Sequence, residues 1–148
     1  MMENLKELRE QTGAGIMDIK RALEEADGDK KKAQRILEAR GVAMAEKKSE
    51  RVTAQGLIDS YVHLGKIGVL VEINCETDFV SRNDEFKKFA HELSLHIASS
   101  DVRDVDELMG QEYFRDQSKK ISDLLNDVIA RTGENVKINR FVKFTLGK

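Results

Sequence analysis

At 148 residues, with 40% hydrophobic and 35% charged side chains, the chain can bury one medium core or two small ones beneath a well-solvated surface. A net charge of −2 excludes a nucleic-acid footprint spread over the whole chain, and a single cysteine excludes an internal disulfide and fits a reducing compartment. No stretch is apolar for long enough to act as a signal peptide or to span a bilayer, so the expected setting is the cytoplasm, away from membrane.

In chain order, residues 1–41 read as a module of three short helices. The first, from about Glu3 to Gln11, turns Leu5 and Leu8 inward and stops at Gly13-Ala14-Gly15, where glycine permits a left-handed turn. The second spans about Met17 to Ala26, with Ile16, Ile19, Ala22 and Leu23 on one face. Gly28 ends it, and Asp29 caps a third helix that carries Ala33, Ile36 and Leu37 and closes at Gly41. Residues 42–56 are rich in Ala, Lys and Glu and read as a partly helical, solvated linker. The basic clusters Lys30-Lys31-Lys32 and Lys47-Lys48 are flanked by acids and read as solvated helix faces.

The period changes in residues 57–148. Leu57 to Leu64 and Ile67 to Asn74 read as two strands joined around Gly65-Lys66, with Val69, Val71 and Ile73 on one face. Cys75, at the end of the apolar run, reads as a buried small hydrophobe. Next, Glu76 to Asn83 place an acid and a bulky aromatic, Asp78 and Phe79, where the strand turns into a helix. On residue types alone, that pair is either a helix start with an inward aromatic or a contact tip for a partner. The following helix, about Asp84 to Ala98, carries Phe86, Phe89, Ala90, Leu93 and Ile97 at helical spacing. A second helical region is expected over about Asp106 to Arg131, striped by Ile121, Leu124, Leu125, Val128 and Ile129, with Gly110 its weak point. Gly133 ends it, and Val136, Ile138, Val142, Phe144 and Leu146 alternate as a last strand. The expected fold class is α+β: a helical bundle, then a three-stranded antiparallel sheet packed with helices on one face.

Residues that would carry bond chemistry are missing from the pattern. His91 and His96 are five apart, whereas a zinc-protease helix needs its two histidines at i and i+4 on one face, so no metal site is expected. Gly13-Ala14-Gly15 lacks the Lys-Ser/Thr of a phosphate-cradling loop, and no Ser or Cys has an evident His base beside it in sequence. An enzyme is therefore not expected.

The run Asn74-Cys75-Glu76-Thr77-Asp78-Phe79-Val80 resembles the signature of the translation elongation factor Ts family, guanine-nucleotide exchange factors for elongation factor Tu. The stretch Leu5 to Asp18, continued through Lys20 to Asp29, resembles the family's N-terminal module, and Thr132 to Phe141 resembles its last strand. The match in three places, in the right order, makes the resemblance specific. It implies a ubiquitin-associated-like bundle over 1–41, no cofactor, and elongation factor Tu as partner in its GDP-bound and nucleotide-free forms. It also implies that Asp78-Phe79 enters the partner beside its Mg²⁺ and nucleotide site, with Phe79 as an apolar wedge supported by Thr77 and Val80. The positions matching a second, N-terminal contact are Lys6, Arg9, Ile16 and Met17, with Ile16 standing where the family usually has Met. Arg82 and His96 match further positions that could face the partner. Family members are commonly longer, and short ones homodimerise; the element implied for a homodimer here is the core sheet. A competing reading is a non-catalytic adaptor or chaperone-like module that works through the N-terminal bundle and leaves the Asp-Phe pair unexplained.

Overall fold

The computed structural model describes residues 2–148. Helices α1 (Met2–Thr12), α2 (Ile16–Glu25) and α3 (Lys30–Lys48) form the N-terminal bundle around Leu8, Ile19, Ala22 and Leu37. Asp27 and Gly28 turn left-handed between α2 and α3, and the Gly28 N–H donates back to the Leu23 carbonyl at 2.8 Å. The Asp29 carboxylate then accepts from the Lys32 N–H at 3.2 Å and starts α3, the cap its position in the sequence calls for.

The helix end expected at Gly41 is not there: α3 runs unbroken to Lys48. Glycine within a helix costs about 1 kcal/mol relative to alanine. Here a second helix lies against it, so that a Cβ on Gly41 would sit 3.7 Å from the Cβ of Ala130. The stretch 42–48, within the segment expected to be a partly helical linker, is helix, and Ala45 within it packs against the larger core.

Strands β1 (Gln55–His63) and β2 (Ile67–Cys75) form the expected hairpin, turned by two left-handed residues, Leu64 and Gly65. The single-turn α4 (Asp78–Ser81) and the long α5 (Asp84–Ser99) follow. The last strand, β5 (Val136–Thr145), pairs with the other edge of β2, giving a three-stranded antiparallel sheet in the order β1-β2-β5. Val69, Val71, Ile73 and Cys75 alternate inward from the central strand onto Phe86, Ala90, Leu93 and Ile97 of α5. The fold is therefore α+β, with helices followed by an antiparallel sheet packed against helices.

The helical region expected over Asp106 to Arg131 does break at Gly110, its weak point, and comprises four elements. Helix α6 (Val105–Met109) stops at Gly110, a small hairpin of β3 (Glu112–Tyr113) and β4 (Asp116–Lys120) follows, and α7 (Ile121–Thr132) begins after it. Side-chain bonds to α5 select the hairpin: the Tyr113 hydroxyl donates to the Glu92 carboxylate at 2.6 Å, and the Phe114 N–H donates to His96 Nδ1 at 3.2 Å. Asp104 and Asp123 accept backbone N–H groups at the starts of α6 and α7. The bundle's buried cluster and the sheet's share no residue.

Candidate partner-binding site

The Asp-Phe pair lies on an exposed turn, with the aromatic directed outward rather than into the core. Beyond Cys75, buried at the end of β2, Thr77 adopts an extended backbone and caps α4, its hydroxyl oxygen accepting from the Val80 N–H at 3.4 Å. Adjacent helical residues lie about 100° apart around the axis, so one turn can send two neighbours opposite ways. Val80 points into the core at 6% exposure, and Phe79 points outward at 80%. An aromatic that could have been buried is held in water beside an exposed acid, Asp78. Arg82 reaches Asp78 at 3.4 Å across one turn, an ion pair between two exposed side chains and therefore of little energetic weight. The Asn83 side chain caps α5 through the Glu85 N–H at 2.8 Å.

What holds the tip comes from the other end of the chain. The Glu134 carboxylate accepts from the Glu76 N–H at 3.1 Å, the Thr77 N–H at 3.0 Å and the Thr77 hydroxyl at 2.7 Å. In return, the Glu76 carboxylate accepts from the Asn135 N–H at 2.6 Å. The buried Asn135 amide donates to the Arg51 carbonyl at 2.7 Å and the Ser49 carbonyl at 3.3 Å. Two polar dipeptides, Glu76-Thr77 and Glu134-Asn135, thus clamp each other and the exit from α3. In the sequence Glu134 and Asn135 belong to the segment that resembles the family's last strand, with no role of their own. Their signal was an acid and an amide placed directly between a helix-ending glycine and an apolar strand, where backbone groups need partners.

The other candidate residues are distributed as follows. Lys6, Arg9, Ile16 and Met17 are all exposed on the bundle; Met17, at 62%, sits with Ile16 at the start of α2, so neither is bundle core. Lys6 and Arg9 rim a cleft of about 440 Å³ whose far side is Glu85 and Arg131 of the sheet module. His96 is interior, at 2% exposure, its Nε2 bonded to Gln111 Oε1 at 2.8 Å and its Nδ1 accepting from Phe114. That network assigns the ring N–H to Nε2, and burial holds its pKa below the ordinary histidine value. Its contacts are within its own chain, where it anchors the β3–β4 hairpin. His91, by contrast, is half exposed and bonded to Asp59, so the two histidines face different surroundings. Among the described residues no group of three or more His, Cys, Asp and Glu could hold a metal, and no helix is long and apolar enough to cross a membrane.

The sheet also has a second apolar face. Ile58 and Val62 of β1, Leu70 of β2, and Val142 and Phe144 of β5 alternate with the inward residues and are exposed, Phe144 at 74%. The register puts Leu70 opposite Val142 and sets Gly68 between Val62 and Phe144 on this face.

A family model described as elongation factor TS matches residues 76–148, the part that begins at the clamp and contains the tip. Proteins named elongation factor Ts are similar over almost the whole chain. One from Thermotoga sp. (strain RQ2) is 40% identical over 191 residues, covering 99% of this chain and 96% of its own. One from Thermoanaerobacter sp. (strain X514) is 42% identical over 190 residues, covering 97% and 93%. One from Clostridium novyi (strain NT) is 48% identical over 143 residues, 96% of this chain but 47% of that longer protein.

Proposed function

The chain belongs to the elongation factor Ts family, translation elongation factors by name, and from that premise we propose that it binds elongation factor Tu·GDP and speeds GDP release by inserting Asp78-Phe79 near the partner's Mg²⁺ and nucleotide site. The observation that carries this reading is Phe79, 80% exposed on a turn whose backbone is clamped by Glu134. An exposed aromatic on a rigid mount suits an apolar socket, and such anchors dominate interface energetics. Insertion works by differential affinity: the factor favours the partner conformation in which Mg²⁺ and the β-phosphate are poorly held. The coupling is reciprocal, so GDP expels the factor by the same ratio by which the factor expels GDP. No covalent bond changes, and no catalytic side chain is required.

Within this reading Thr77 and Val80 fix the wedge from below, and Asp78 meets polar groups of the partner, with Arg82 beside it at the rim. Lys6, Arg9, Ile16 and Met17 make the second contact, from the bundle. His96 serves indirectly, by holding Phe114 and its hairpin. We also place a homodimer on the outer sheet face, where a second copy would cover Ile58, Val62, Leu70, Val142 and Phe144.

The test is release of a fluorescent GDP analogue from elongation factor Tu, with and without this protein, alongside Phe79→Ala. Acceleration that Phe79→Ala largely removes supports both function and wedge. Acceleration untouched by the substitution refutes the wedge, and no acceleration refutes exchange and favours the adaptor reading of the bundle.

A further inference from the structure

The two proposed contacts lie on different modules, and a factor that engages its partner at both needs them in one frame. The seam between the modules contains a feature that would provide it. Arg131, in the last turn of α7, reaches across to α1, where its Nη2 donates to the carbonyls of Glu10 and Gln11 at 3.0 Å each. Both carbonyls belong to the final turn of α1, whose acceptors have no partner within the helix, and a guanidinium also suits the negative end of a helix dipole. Arg131 Nη1 lies 3.7 Å from the Glu85 carboxylate at the start of α5, so one side chain ties three helices together.

Its stem lies against Gly13. That residue is left-handed at φ +70°, and a Cβ there would come within 2.3 Å of Arg131 Cγ. Glycine is thus required twice over, for the turn that ends α1 and for the passage of the arginine. Three residues further along, Glu134 clamps Thr77 beneath Phe79. The short segment 131–135 therefore grips the bundle with one end and the tip with the other.

We propose that Arg131 is a positioning residue, latching α1 to α7 so that the N-terminal contact and the Phe79 wedge are presented to elongation factor Tu at a fixed separation. This rests on the two-contact reading above. Without the latch the bundle stays attached through α3 and its packing on α7, but it loses the off-axis contact that stops it turning about α3. The second contact then adds only through effective concentration, not as part of a rigid surface.

The experiment is a double-mutant cycle of Arg131→Ala with Met17→Ala, read as affinity for elongation factor Tu·GDP, with amide ¹⁵N relaxation of the free protein as a partner-independent readout. In the wild-type background Met17→Ala is expected to weaken binding roughly tenfold. In the Arg131→Ala background the same change is expected to cost less than about twofold, while Phe79→Ala keeps its full effect in both. Arg131→Lys, which keeps the charge but not the fork that bridges two carbonyls, is expected to lie between. Relaxation is expected to show residues 2–40 tumbling with the sheet module in the wild type and faster than it in Arg131→Ala. Equal Met17→Ala penalties in both backgrounds, with a common correlation time, overturn the proposal. A wild-type chain that does not bind elongation factor Tu refutes the exchange reading instead, and the relaxation data then decide the latch alone.

Discussion

Replacing Glu134 by alanine removes the acceptor of three hydrogen bonds: from the Glu76 N–H, the Thr77 N–H and the Thr77 hydroxyl. Bonds to a charged group contribute roughly 1.5–3 kcal/mol each when sheltered, but Thr77 is exposed and water can take over its donors, so about 2 kcal/mol for the set is the expected loss. A domain of this kind is typically stable by about 5–15 kcal/mol, so the chain stays folded and the loss appears as a thermal midpoint lowered by roughly 4–8 °C. The tip keeps its Thr77-to-Val80 cap and the buried Val80 side chain, so its competent conformation becomes less populated without disappearing. Apparent affinity for elongation factor Tu scales with that population and should fall about three- to tenfold. Phe79→Ala should do the reverse. Its side chain is mostly in water, so stability changes by less than about 0.5 kcal/mol, whereas binding loses about 2 kcal/mol, roughly thirtyfold. Denaturation melts and stopped-flow release of a fluorescent GDP analogue measure the two quantities on the same proteins. If Glu134→Ala leaves the midpoint unmoved and abolishes exchange, Glu134 touches the partner directly and the clamp account is wrong.

Two further outcomes follow. The buried His96 ring is held neutral, its folded-state pKa below the ordinary value of 6.5, so the unfolded chain takes up the proton more readily. The stability this contributes is complete above about pH 6.5 and is lost as the pH falls below it. Wild type should therefore weaken more steeply from about pH 7.5 to about pH 5.5 than His96→Asn, which keeps an acceptor for the Phe114 N–H; parallel stability–pH curves sink the assignment. On the sheet's outer face, Phe144→Glu should convert a dimer to a monomer in sedimentation equilibrium with an unchanged circular dichroism spectrum. A wild type that stays monomeric at high concentration refutes the dimer.

The elements that carry their own period were legible. Val69, Val71 and Ile73 alternate, Phe86 to Ile97 repeat at helical spacing, and both patterns end where the strand and helix end. What failed was whatever depended on a distant partner. Gly41 reads as a stop because glycine weakens a helix, yet α3 continues because Ala130, far along the chain, lies against it. Between Gly110 and the stripe that begins at Ile121 lies a hairpin without a period of its own, because the bonds that select it run to Glu92 and His96 of another helix. At the site, the exposure of Phe79 was half legible: an aromatic after an acid at a strand-to-helix turn marks the spot, but only Val80, filling the inward position, decides which way Phe79 points. The clamp was invisible for the same reason, since Glu76 and Glu134 are 58 residues apart.

That distribution has a functional logic. A partner's nucleotide site yields only to a difference in affinity between its two conformations, and any disorder in the inserted tip reduces the affinity available for that difference. On the proposed wedge reading the tip cannot be stabilised by burying Phe79, because Phe79 is the group offered to the partner's socket. Its order has to come from beneath and beside it: Val80 in the core, the Thr77 cap, and a carboxylate from the opposite end of the chain holding two backbone N–H groups. The position of Glu134 just after the left-handed Gly133 then follows, since the last turn of α7 and the start of β5 are the elements that reach both the tip and the exit of α3. An exposed hydrophobe next to a dense set of local polar bonds is what a rigid wedge requires, and the same polar bonds would be superfluous if the aromatic were simply core.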